Sequence, residues 1–329
     1  MKDKMMTDVL DKQKFGSNVY LVAEEKDCFV LRLEAPTGEG YMTMYQVMPG
    51  IYLMFNEFHL ESCESKFQNM DTVFCIDHCR QGRMEYENSL YGRYYMESGD
   101  IRLDKRSHHS GNFNMPTRYY HGITIGFEIG EAEESIKREL PGIQADIGKI
   151  VSRFCPDENE FLMRKERILK NDEALIGIFD ELYGVPKEIR IEFFKVKIME
   201  LILRLSILET SLYKDENLYI PVAQADRIKR IHKLIIDNPE KNYTVEELSK
   251  RFDIPESTLR KNFRVIYGSP IYQYIKNHKM SFAAELLRSE TDIKISDIAE
   301  RVGYDNPSKF SAAFKCVMGV TPVVYRNDQ

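Results

Sequence analysis

Apolar and polar positions alternate through residues 15–130 and then change rhythm. The run YMTMYQVMPGIYLMFNEFHL alternates, is rich in Tyr, Met and Phe, and breaks at Pro49-Gly50. A period of two on either side of a turn dipeptide predicts two strands. TVFCIDHCRQGRMEYENSLYGRYYMESGDIRLDKR repeats the logic: a strand to His78, a turn at Gln81-Gly82, a second strand, a turn near Ser89 and another at Ser98-Gly99-Asp100. YYHGITIGFEI adds one more strand. Many short strands with regular turn signals predict a small barrel or sandwich of the double-sheet type.

Beyond Ile129 the period lengthens. EAEESIKREL, PGIQADIGKIVSRF, ENEFLMRKERILK and DEALIGIFDELYG carry helical spacing. Pro186 opens a longer amphipathic stretch whose apolar positions are Ile191, Phe194, Val196, Ile198, Leu201, Ile202, Leu205 and Leu208. That stripe is wide enough to pack on more than one side. Two readings stay open: a helix packed on its own domain, or one that also pairs with its symmetry mate. Residues 211–227 are poor in apolar side chains and contain a proline, as a linker does. Asp226 is placed to cap the helix that follows.

The last hundred residues contain one device twice. In TVEELSKRFDIPESTLRKNFR, Val245, Leu248 and Phe252 form one inward face, and Thr244 with Glu247 makes a capping box. A break at Asp253-Ile254-Pro255 precedes Leu259 and Phe263, which anchor the next helix. The second copy runs Ile295, Ile298, Val302, then Gly303-Tyr304-Asp305-Asn306, then Phe310 and Phe314 with the same four-residue spacing. Small Ala299 suits close helix crossing. Each copy reads as helix, turn, helix. Between them, SPIYQYIKNHKMSFAAELLRS predicts a helix of roughly 19 residues, about 28 Å long. Successive major grooves on one face of DNA lie about 34 Å apart. A rigid central helix supplies much of that distance, so one chain can address two grooves.

Charge sharpens the division. Residues 226–329 hold 18 Lys and Arg against 14 Asp and Glu, a net of +4. The preceding residues hold 28 against 38, a net of −10. A mildly basic module follows an acidic one, as expected if only the former meets phosphate. Among 329 residues, 43% are hydrophobic, enough for a sizeable core in two or three domains. No apolar run approaches the ~20 residues of a membrane span. The start shows no secretory signal. Six scattered cysteines without a Cys-x-x-Cys pair suit a reducing cytoplasm and free thiols.

The stretch ISDIAERVGYDNPSKFSAAFKCVMGVTPVVYR resembles the C-terminal signature of the AraC/XylS family of bacterial transcription regulators. The resemblance rests on the glycine-aromatic turn, the paired phenylalanines and the closing Gly-Val-Thr-Pro…Tyr-Arg, and covers about residues 226–326. Cys316 stands where that family usually has a basic residue, and Ala312 where it often has Arg. Both departures weaken a phosphate or base contact at the second copy. In a helix-turn-helix the early positions of the second helix face DNA. Here those are Glu256, Ser257, Arg260, Lys261 and Arg264 in copy one, and Asn306, Ser308, Lys309, Ser311, Ala312 and Lys315 in copy two. Arg260 and Lys261 suit guanine O6 and N7 or a phosphate. Copy one, with more long polar side chains, is expected to discriminate bases more strongly.

In such regulators the N-terminal part is often a cupin-like barrel with helices that senses an effector and pairs subunits. The expected fold is therefore α+β and multidomain. It has a cupin-like effector-sensing domain (1–130), a helical, dimerising segment (131–212), a linker (213–225) and an all-α double helix-turn-helix domain (226–329). Double-stranded DNA, a small-molecule effector, a second copy of the chain and RNA polymerase are the expected partners. Metal-dependent cupins need His-x-His with a Glu and a later His. His59, His78, His108, His109 and His121 do not make that pattern, and His108 and His109 would point to opposite faces of a strand. Neither a phosphate loop nor a nucleophile elbow occurs, so no metal, cofactor or enzymatic activity is expected. A pocket lined by Tyr52, Phe55, Phe74, His78, Arg80, Tyr86 and His121 is the effector-site expectation. Arg80 suits an anionic ligand or an outward position equally. Two alternatives remain: control by a protein partner, and a cupin-type metal-binding enzyme carrying a DNA-binding module.

Overall fold

The computed structural model describes residues 17–65, 72–88, 92–105, 111–143, 146–155, 166–170, 172–209, 219–290 and 292–327. They form two compact units, one within residues 1–218 and one from Tyr219 onward that also takes in 88–93.

The first unit is built on strands. β1 (Val19–Glu25), β2 (Cys28–Ala35), β3 (Gly38–Met48) and β4 (Ile51–His59) form an antiparallel meander. Pro49-Gly50 makes the β3–β4 turn. β5 (Ser62–Ser65) is followed by β6 (Val73–Gly82), β7 (Met84–Asn88), β8 (Gly92–Met96), β9 (Ile101–Lys105), β10 (Gly111–Asn114) and β11 (Tyr120–Glu128). With β12 (Glu166–Leu169), an eight-stranded sheet has the order β1-β2-β3-β4-β11-β6-β9-β12, and a four-stranded sheet the order β5-β10-β7-β8. Among the described residues these are two sheets, with no strand pairing that closes either into a barrel.

Two expectations are corrected. Gln81-Gly82 is not a hairpin turn, because β6 and β7 belong to different sheets. The chain crosses between sheets at Gly82, whose φ is +85° and where a Cβ would lie 2.1 Å from the Tyr119 carbonyl oxygen. Only glycine fits there. The stretch 158–170 is not a single helix. Its last part forms β12 (Glu166–Leu169), which pairs antiparallel with β9, Ile168 opposite Arg102 and Leu169 opposite Ile101. An open strand edge and burial of Ile168 and Leu169 outweigh helical spacing. The turn expected near Ser89 lies outside the described residues.

Helices α1 (Ile129–Glu139), α2 (Ile147–Phe154), α3 (Glu173–Leu182) and α4 (Arg190–Ile207) supply one continuous core with the larger sheet. Asp146 and Asp172 cap α2 and α3 through their carboxylates. On α4, Phe194, Ile198, Leu201, Ile202 and Leu205 are buried. The Phe194 ring meets Tyr45 of β3 edge-on at 5.4 Å. One sheet face therefore carries helices, and the other faces the small sheet.

The second unit is helical: α5 (Val222–Ile236), α6 (Val245–Phe252), α7 (Glu256–Tyr267), α8 (Ile271–Ser289), α9 (Ile295–Arg301), α10 (Pro307–Met318) and α11 (Pro322–Asn327). Asp226 is not a cap but lies inside α5, which begins after Pro221. Proline fixes the entry φ there, and burial of Ala225 and Ile228 extends the helix one turn earlier than expected. Among the described residues no helix is long and apolar enough to cross a membrane.

Candidate nucleic-acid interface and sandwich cavity

In the first reading unit, Thr244 and Glu247 form the expected capping box at the start of α6, with bonds of 3.1 and 2.8 Å. Asp253 ends α6 in the left-handed region and Pro255 starts α7. Leu259 and Phe263 are fully buried, which turns Glu256, Ser257, Arg260, Lys261 and Arg264 to the surface. Glu256 holds the Arg260 guanidinium at 3.2 Å, so Arg260 must leave this exposed pair to engage a base or phosphate. Beneath α7, His232 stacks on Tyr267 at 4.0 Å and bonds the Tyr274 hydroxyl at 2.6 Å. Burial lowers its pKa to about 4, so it packs as a neutral ring.

The second unit turns at Gly303, whose φ is +77° and whose absent Cβ would lie 2.2 Å from the Glu240 carbonyl oxygen. Asn306 caps α10, its Oδ1 accepting from the Ser308 and Lys309 amides at 2.8 and 3.2 Å. Pro307 occupies the first turn. Phe310 and Phe314 are buried, while Ser308, Lys309, Ala312 and Lys315 are exposed and Ser311 is half-buried. The carbonyl acceptor of Asn306 is thus engaged by the helix end, and the long cations left on this face are Lys309 and Lys315. The connecting α8 has 19 residues. Lys279, only 3% exposed, donates from it to the Asn242 side chain at 2.7 Å and the Val302 carbonyl at 3.0 Å. It ties α8 to the turn of the second unit, and burial lowers its pKa. Exposed cations on a helix face can neutralise phosphates and read base edges.

The strand-rich unit holds a half-open cavity of about 200 Å³ between its two sheets. Its wall is mainly apolar, with Met42, Met54 and Phe58 from one sheet and Met84, Tyr86 and Phe113 from the other. Asn56, Asp77 and Thr124 make a buried polar strip on it. The Asn56 Nδ2 donates to Thr124 Oγ1 at 3.0 Å, and that hydroxyl donates to Asp77 Oδ1 at 2.8 Å. Arg102 lies between Asp77 (3.4 Å) and Asp104 (3.0 Å), with its guanidinium 4.0 Å over the Tyr86 ring.

Of the seven residues expected at an effector pocket, Tyr86 lines this cavity. Phe55, Phe74, His78, Arg80 and His121 lie instead on the helix-bearing face of the large sheet. Phe55 meets Tyr183 and Phe194, and Phe74 stacks on Phe127. His78, 1% exposed, stacks on Phe179 of α3 at 4.6 Å. Its pKa falls to about 4, chiefly through burial. Arg80 covers the Tyr183 ring at 4.0 Å, and His121 meets the same ring edge-on at 5.2 Å. Burial, then Arg80, lowers the His121 pKa. Tyr52 is half-buried, its phenol pushed up to about 12 by burial and then by Glu131 and Glu128. Arg80 thus rests on the aromatic face of Tyr183. His59 is exposed beside Glu57, and His108 and His109 lie outside the described residues. Among the described residues no three His, Cys, Asp or Glu side chains gather as a metal site.

The polar strip of Asn56, Asp77 and Thr124 was missed from sequence. The signal was present in β4, where Asn56 interrupts the apolar set Met54 and Phe58 at period two.

Residues 248–328 match the family described as a helix-turn-helix domain. An AraC-like protein of Streptomyces lividans is 34% identical over 89 residues, 27% of this chain and 29% of that one. The HTH-type transcriptional activator AarP of Providencia stuartii is 27% identical over 103 residues, 31% of this chain and 76% of that one. This chain thus spans under a third of the first relative's length and about three-quarters of the second's. Among solved structures, the C-terminal domain of AraT, a response regulator from Geobacillus stearothermophilus, aligns at 33% identity and a TM-score of 0.30, over 31% of this chain and 85% of that one. Residues 248–328 of this chain thus form a helix-turn-helix domain similar to those of AraC-like transcription regulators.

Proposed function

We propose that the chain is a sequence-specific DNA-binding transcription regulator, of the activating kind, that works as a pair of copies and responds to a small molecule in its cupin-like N-terminal unit. The observation that carries the DNA reading is the doubled unit itself. Two second helices, α7 and α10, each expose cations while their apolar anchors are buried, and a 19-residue helix separates them. Copy one holds Arg260, Lys261 and Arg264 and is the stronger base reader. Copy two contributes phosphate contacts through Lys309 and Lys315. Fluorescence anisotropy with duplexes selected from random sequence tests this. Binding with no preference over bulk DNA, or binding unaffected by Lys261→Ala and Arg264→Ala together, defeats the reading.

Pairing is assigned to α4. Ile189, Val196, Leu203 and Ile207 are 51%, 64%, 44% and 80% exposed. Their spacing of seven, seven and four sets them in one exposed apolar row, with Ile189 just before the helix's first residue. The same helix buries Phe194 and Ile198 against the sheet, so it has two apolar faces, and among the described residues only one is covered.

The effector is assigned to the cavity between the sheets. That cavity and α4 lie on opposite faces of the eight-stranded sheet. A ligand that fits one sheet geometry better than another shifts the pairing surface by its differential affinity alone. A purified protein whose melting temperature and DNA affinity both ignore every small molecule in a broad screen would instead indicate control by a protein partner.

A further inference from the structure

We propose that the strand-rich unit carries a second small-molecule site, a cleft at the start of α4 that takes a small organic carboxylate with a flat apolar body, anchored by Arg190. The inference is independent of the cavity between the sheets, because the cleft lies on the helix-bearing face of the large sheet.

The cleft is open to solvent and has a volume of about 270 Å³. The sheet contributes Thr43, Tyr45 and Phe55, with Thr43 directly opposite Phe55 across β3 and β4. Tyr183 and Val185, which follow α3, and Phe194 of α4 complete the wall. The Phe55 ring lies 6.1 Å from Tyr45, 5.4 Å from Tyr183 and 6.0 Å from Phe194. Clustered rings of this kind offer faces and edges to a flat apolar group. An apolar cavity of about 150 Å³ holds a benzene ring, so there is room here for a ring and a short arm. Among the residues lining the cleft, Arg190 alone is charged.

Arg190 is half-buried and held by neutral acceptors. Its Nε and Nη2 donate to the Val185 carbonyl at 3.1 and 2.9 Å, and its Nη1 donates to the Tyr45 hydroxyl at 2.8 Å. A guanidinium carries five N–H groups, so these bonds fix its position and leave donors over. Among the described residues Arg190 has no carboxylate partner. Glu25, the carboxylate that shares this corner with Arg190 and Lys187, is held by Lys187 at 3.2 Å. Two cations against one carboxylate leave the corner net positive. A guanidinium that is partly withdrawn from water, pre-positioned and without a counter-ion favours an anion, and its planar fork fits a carboxylate. The aromatic wall supplies no second cation for a more highly charged group. An ammonium is repelled, and a neutral amide forgoes the charge-assisted bond.

Calorimetric titration of the full-length protein at neutral pH with phenylacetate, phenylacetamide, phenethylamine and acetate tests this. The first three share a ring and a short arm and differ in charge, and acetate keeps the carboxylate without the ring. Phenylacetate is expected to bind about tenfold tighter than phenylacetamide, the difference between a charge-assisted and a neutral hydrogen bond. Phenethylamine is expected to bind more weakly than either, and acetate at least tenfold more weakly than phenylacetate. In Arg190→Gln phenylacetate loses its advantage over phenylacetamide, and Arg190→Lys, which keeps the charge, retains part of it. The comparison among ligands in the unaltered protein stands even if neither variant folds. Phenylacetamide, phenethylamine or acetate binding as tightly as phenylacetate, or no binding of phenylacetate, overturns the proposal. An advantage of phenylacetate that survives in folded Arg190→Gln places the anion elsewhere and overturns it too. None of these failures touches the effector reading of the cavity between the sheets, which a separate screen tests.

Discussion

At the scale of the residue, single groups carry consequences that local patterns hide. His78 and His232 are buried and held neutral, each with its pKa lowered to about 4. Burial dominates in both. Arg80 adds to the lowering at His78 and Asp180 opposes it, while His278 adds to it at His232. The unfolded chain protonates these rings near 6.5, so between there and about 4 it binds protons that the folded chain does not. Stability is then fully present above 6.5 and falls as pH drops toward 4, by up to about 3 kcal/mol per ring. Urea titrations at pH 7 and pH 4.5 should show this, and His78→Phe should flatten the response of the first unit. An unchanged pH slope in that variant would assign the loss elsewhere. Gly303 offers a second prediction. Gly303→Ala places a methyl against the Glu240 carbonyl in a left-handed backbone. It should cost the second unit roughly 2 kcal/mol or more, read as a drop in its melting temperature.

Elements were legible in the sequence where their signals are local. The β3–β4 turn at Pro49-Gly50, the Thr244–Glu247 capping box and the 19 residues of α8 each follow from a few adjacent side chains. The pairing of β12 with β9 and the change of sheet at Gly82 do not, because they depend on strands far away in sequence. The same distinction runs through the sites. Leu259, Phe263, Phe310 and Phe314 fix the outward faces of α7 and α10 from spacing alone. The cavity wall depended on which face of the large sheet the helices would cover. Alternation gave two faces to Phe74, His78 and Asp77 but could not say which one met helices. At this scale the two reading helices should differ. Base substitutions beneath α7 should cost about 1–3 kcal/mol each, and those beneath α10 clearly less. Lys309→Ala should weaken binding evenly across sequences and lower the salt slope by about one. Equal or reversed penalties in a duplex-competition assay would defeat the division of labour.

The whole molecule joins an acidic strand-rich unit to a basic helical one, net −10 before residue 226 against net +4 from residue 226 onward. Repulsion keeps the first off phosphate and leaves its surface for other partners. Under the proposed pairing, number adds to a helix-turn-helix pair that carries few long cations. Two copies joined through α4 would present two such domains to a repeated site, and the second binding step becomes intramolecular. Linking of this kind raises apparent affinity by about 10²–10⁴ without a new contact. Val196 and Leu203 are exposed on α4 and lie apart from the DNA-facing helices in sequence. Val196→Glu with Leu203→Glu should therefore split the pair in analytical ultracentrifugation. It should also lower affinity for a duplex carrying two sites by at least tenfold, while affinity for a single site stays unchanged. The combination matters. Lost affinity at both duplexes would mean a folding defect, and an intact pair would place the interface elsewhere. A loss confined to the double site is the outcome that only pairing through α4 produces.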